Sequence, residues 1–301
     1  LKPNEVFELG NAFEKVFTSL GKRMRNEVIN TLTEFDTVLH KVQKDTSIRM
    51  TENAYAFSRL TTEVAQFGVG VEDAGQLMAD MSKELKTTDF NLLANATKDF
   101  ASIAGATGAA AEDITTIAGE LMRMGESSGQ VKDFMQEADQ QARMFGVSSS
   151  KVLGGISKNI KKMREMGFTG GEKSLMKMAV TAERLRMNID ETFDMAKKAR
   201  SIEGALNMAA ELQLAGGSFS NINPMDLLAA ARKGPAELQK ILTTMGKDIG
   251  RFDENTGKYE FDPVDVDRLQ MVSEATGQSM ESLQNMIQKN VDDTRKTNMF
   301  T

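Results

Sequence analysis

The chain has 301 residues and a net charge of −6, with no cysteine, no tryptophan, one histidine, two tyrosines and 21 methionines. Those numbers exclude disulfides, thiolate chemistry, cysteine-held metals and, within one subunit, a histidine metal cluster. An acidic balance does not supply the basic stripe that gathers phosphates. The stretch nearest to an uncharged apolar span, Phe100 to Ala111, falls short of the ~18–20 apolar residues that span a membrane.

Residues 1–60 read as long amphipathic helix. Phe13, Val16, Leu20, Met24, Val28, Leu32, Phe35, Leu39 and Val42 follow one another in steps of three or four, which places them on one stripe. Such a stripe suits a coiled coil with copies of itself and equally suits docking on the chain's own core. His40 lies within this helix, where a surface or packing role is expected.

Residues 61–215 carry a repeated helix stop and start. The mark begins at Gly68, Gly108, Gly146 and, weakened, Arg186, in steps of 40, 38 and 40 residues, and a further copy begins at Gly277. Glycine takes the left-handed conformation that ends a helix. The residue two places on serves as the next N-cap, and an acid in the first turn meets the positive helix end. Second breaks fall midway, at Lys86–Asp89, Gly125–Gly129, Gly167–Gly171 and Ser201–Gly204. The spacing therefore predicts an array of helix pairs, each about 40 residues long, stacked on one another.

Residues 216–301 change texture. Gly216–Pro224 reads as a loop, Pro224 opens a helix at its favoured first position, and Pro235–Met245 reads as another. Phe252–Phe261 alternates like a hairpin, with a three-residue turn at Asn255–Gly257, and Val264–Asn290 returns to helix. The expected fold class is thus all-α: an amphipathic N-terminal helix, an array of helix pairs, and one short β-hairpin near 252–261.

Motifs for chemistry fail on inspection. Gly167–Ser174 (GFTGGEKS) approaches a phosphate-binding loop but has Glu172 where glycine is required, and no strand precedes it. Asp253, Asn255, Gly257 and Asp262 approach a calcium loop, but the glycine falls one position early and Val264 occupies the place of the bidentate glutamate. The basic runs Lys158–Arg164 and Lys197–Arg200 read as solvated helix faces. Met187, Met195 and Met208 read as gap-fillers between helices. No residue is assigned as catalytic, cofactor-binding or metal-binding, no cofactor is implied, and the chain reads as a structural protein rather than an enzyme.

Leu212–Leu242 (LQLAGGSFSNINPMDLLAAARKGPAELQKIL), Phe252–Pro263 (FDENTGKYEFDP) and Val272–Met286 (VSEATGQSMESLQNM) resemble the tail tape measure proteins of tailed bacteriophages, particularly large-genome phages. The resemblance is one of pattern and phrase over most of residues 1–290. It implies a virion protein packed in the tail tube lumen, where it scaffolds tube assembly, sets tail length and leaves ahead of the DNA. The implied partners are copies of itself (as a trimer), tail tube and tail tip or baseplate proteins, with no stable nucleic-acid complex and transient host-membrane contact only through parts outside this chain. Such proteins are far longer, and the chain starts at Leu1 rather than methionine, so a fragment is expected. The alternatives are an internal cargo protein ejected with DNA and a carboxylate-only cell-wall hydrolase domain.

Overall fold

The computed structural model describes residues 33–253 and 258–288 and is all-α, with one two-stranded antiparallel hairpin. The first helix, α1, runs over 33–46. It is followed by α2 (Met50–Ala65), α3 (Val71–Leu85), α4 (Phe90–Thr107), α5 (Ala111–Arg123), α6 (Ser128–Met144), α7 (Ser149–Met166) and α8 (Gly171–Leu185). Then come α9 (Ile189–Ala199), α10 (Ile202–Leu214), a 3-10 turn at Gly217–Asn221, α11 (Pro224–Lys233) and α12 (Pro235–Met245). A 3-10 turn at Gly246–Asp248 leads into β1 (Arg251–Asp253) and β2 (Lys258–Glu260), after which α13 (Pro263–Thr276) and α14 (280–288) close the described chain.

The punctuation works as the spacing predicts. Gly68, Gly108, Gly146, Arg186 and Gly277 all have positive φ. The next helices take Gly70, Ala110, Ser148 and Asn188 as N-caps, each two residues further on. Ser279 occupies the same step after Gly277, and its hydroxyl accepts from the amide of Ser282 at 3.3 Å. Arg186 adopts the left-handed conformation without being glycine, at a cost of about 1 kcal/mol.

The chain divides into two compact units between Gly105 and Ala106. The sequence textures are expected to change near 60 and 215; residue 60 lies within α2, and this packing boundary falls inside α4. In the first unit, Phe57, Val64, Leu77, Met78, Met81, Leu93 and Phe100 are buried. The described end of the N-terminal stripe joins that core: Val42 is buried and Leu39 half-buried, the Phe35 ring lies 5.8 Å from Phe57, and Val38, outside the stripe, is buried beside them. Gly75 on α3 makes the approach possible, since a Cβ there would lie 2.5 Å from Val38 Cγ1. The remainder of the stripe, Phe13–Leu32, lies outside the described residues.

In the second unit, α5 packs on α6 and α7, α6 on α7 and α8, and α7 on α8 and α9. Packing on the next helix and the next but one is the signature of stacked helix pairs. The pattern then changes, because α12 returns to pack on both α8 and α9, and α13 lies against α10. The array is therefore closed by its own C-terminal segment rather than continued. The hairpin pairs Arg251 with Glu260, Phe252 with Tyr259 and Asp253 with Lys258; its expected turn at Asn255–Gly257 lies outside the described residues.

Candidate functional site

The near-phosphate loop is a helix–helix turn. Gly167 caps α7 in the left-handed conformation, and Gly170 precedes α8. The amides a phosphate would use are spent: those of Thr169 and Gly170 donate to the carbonyls of Arg232 and Lys233 at 3.3 and 2.9 Å. Asp262, from the near-calcium loop, caps α13 and accepts from the amide of Asp265 at 2.9 Å. Asp253 ends β1, while Asn255 and Gly257 lie outside the described residues. Among the described residues no three His, Cys, Asp or Glu side chains gather as metal ligands. His40 is exposed, 3.6 Å from Asp36.

The basic runs do more than face solvent. Arg164 of α7 and Arg123 of α5 both reach the buried carboxylate of Glu120 at 2.5 Å. Lys162 pairs with Asp190 at the start of α9, and the Arg200 guanidinium stacks 5.3 Å over the Phe168 ring. These cations tie neighbouring helices together. Met187, Met195 and Met208 are buried gap-fillers, with the Gln239 amide donating to the Met187 sulfur at 3.1 Å.

Two arrangements stand out that the sequence reading did not identify. The first is a polar hub at Arg268 of α13. Its guanidinium donates to Ala215 O at 2.9 Å, Gly216 O at 3.3 Å, Asp248 O at 3.1 Å and Asp248 Oδ2 at 3.0 Å. Asp248 Oδ2 also accepts from the amide of Ser218 at 2.8 Å. Gly217 sits against the hub, and a side chain there would overlap both Arg268 and Asp248. Nearby, Tyr259 donates its hydroxyl to Ile249 O at 2.9 Å. Burial pushes that phenol above its ordinary value of 10.0, helped by the carboxylates of Asp265 and Asp248. A single arginine on a helix gives no local signal of such partners.

The second is an open cleft of about 780 Å³ in the second unit. Its walls are Phe145–Ser148 before α7 and Glu183–Arg186 at the end of α8, with Asn285 and Gln288 of α14 also lining it. Lys151 reaches into it from the first turn of α7 and pairs with Glu183 at 3.2 Å. Arg184 lies 5.2 Å over the half-exposed Phe145 ring. Arg186 is exposed and has no carboxylate partner among the described residues. Among the described residues its charged lining is Lys151, Glu183, Arg184 and Arg186.

In the first unit, Lys98 bonds Glu63 at 2.7 Å across α4 and α2. That hydrogen bond, then the charges of Lys98 and Arg59, hold the Glu63 carboxyl below its ordinary value.

No protein-family model, no curated protein and no solved structure matches this chain.

Proposed function

We propose that this chain serves as a structural virion protein of the tape-measure kind, lodged in a phage tail tube as a folded, tip-proximal anchor. The observation that supports the reading is that the first two resembling stretches are each bonded to residues that link the stretches. Ala215 and Gly216 of the first accept from Arg268, which lies between the second and third; Tyr259 of the second donates to Ile249, between the first and second; and α13 runs from the end of the second into the third. The negative net charge would keep such a protein from adhering to DNA passing through the same channel.

The folded helix pairs favour an anchor over a ruler. A unit of about 40 residues spans about 60 Å as one continuous helix, but a folded pair adds only a stacking distance of about 10 Å. Because Gly68–Thr107 folds as two capped helices, α3 and α4, the measuring is assigned to other parts of a tape-measure assembly. The first test is location: labelled protein should be found in the tail lumen of intact particles. Finding it inside the capsid would replace this reading with that of ejected cargo, and peptidoglycan cleavage in a zymogram would replace it with that of a hydrolase. The second test deletes Gly68–Thr107, which joins one mark to the next in phase. Tails of unchanged length, or failed tail initiation, are expected; a uniform loss near 60 Å would overturn the folded-anchor reading.

A further inference from the structure

We draw no further inference here: the strongest candidate, the surface patch along α10 where Ile202, Leu206 and Leu214 stand exposed, carries none, because nothing in the structure shows what covers it.

Discussion

Residues 111–199 and residues 215–288 are both largely helical, but they are held in shape by different means. In the first stretch each helix ends on a left-handed residue or a short polar turn, and the next begins within a few residues. The apolar faces then stack on the nearest neighbours. In the second, helices and hairpin are gathered by one guanidinium that reaches residues 52 or 53 positions earlier in the chain. Repeated local signals determine where helices start and stop. Where the chain turns back on itself is determined by a few long-range contacts, and these are what close the array.

If the array depends on apolar faces and the module on its hub, two substitutions should act differently. Phe193, buried on α9 with its ring 5.9 Å from Phe168, should cost about 4 kcal/mol when changed to alanine. In urea unfolding and hydrogen exchange, that loss should appear across 111–199. Arg268→Ala strips the partners from Ala215 O, Gly216 O and Asp248 together, and should cost about 3 kcal/mol. Its effect on exchange should concentrate at 215–221 and 246–250 and leave the amides of α5–α7 protected. Equal loss of protection in both stretches would dissolve the distinction between them.

The sequence's legibility follows the same line. The starts of α7 and α9 were readable because Ser148 and Asn188 are good caps at a fixed step from the preceding mark. Helix existence rests on a few adjacent residues, so periodicity exposes it. The return of α12 onto α8 and α9 was not readable, because nothing in Pro235–Met245 names its partners. The triad of Glu120, Arg123 and Arg164 was equally hidden: Arg164 sits in a basic run whose composition fits solvent just as well. The unit boundary inside α4 carries no break in helical pattern, since the helix runs through it to Thr107. The cleft did leave a trace, but only in a residue-by-residue comparison of the marks, where Lys151 and Arg186 depart from the other copies.

A finer test of the punctuation compares two turns of the array. Gly146 lies at φ 66° and Arg186 at φ 54°, so side chains at the two positions face the same backbone strain. Gly146→Ala should lose about 1 kcal/mol, and Arg186→Gly should gain a similar amount after the added freedom of the unfolded chain is offset. Thermal melts of the two variants should therefore shift in opposite directions. A fall in both would mean that the Arg186 side chain contributes to folding.

The smallest effect is expected at the module's edge, where the hairpin leans on the hub. Tyr259 has its phenol pushed above 10.0, first by burial and then by the charges of Asp265 and Asp248. A group whose folded value is raised contributes stability that is fully present below the unfolded value and is lost as pH rises through the folded one. Ionisation also removes the hydroxyl proton that Tyr259 donates to Ile249 O, and it sets a phenolate facing two carboxylates. The wild type should therefore melt above Tyr259→Phe near pH 8, and the difference should shrink as pH passes about 10 and continues upward. The array has no part in this titration, so exchange rates in α5–α7, corrected for the intrinsic pH dependence, should not separate wild type from variant. Melting curves that stay parallel from pH 8 to about 11 would show that the hydroxyl contributes nothing through its proton, and the hairpin's attachment would then rest on the packing of the Tyr259 ring against Gly250, where a Cβ would lie 2.5 Å from the ring.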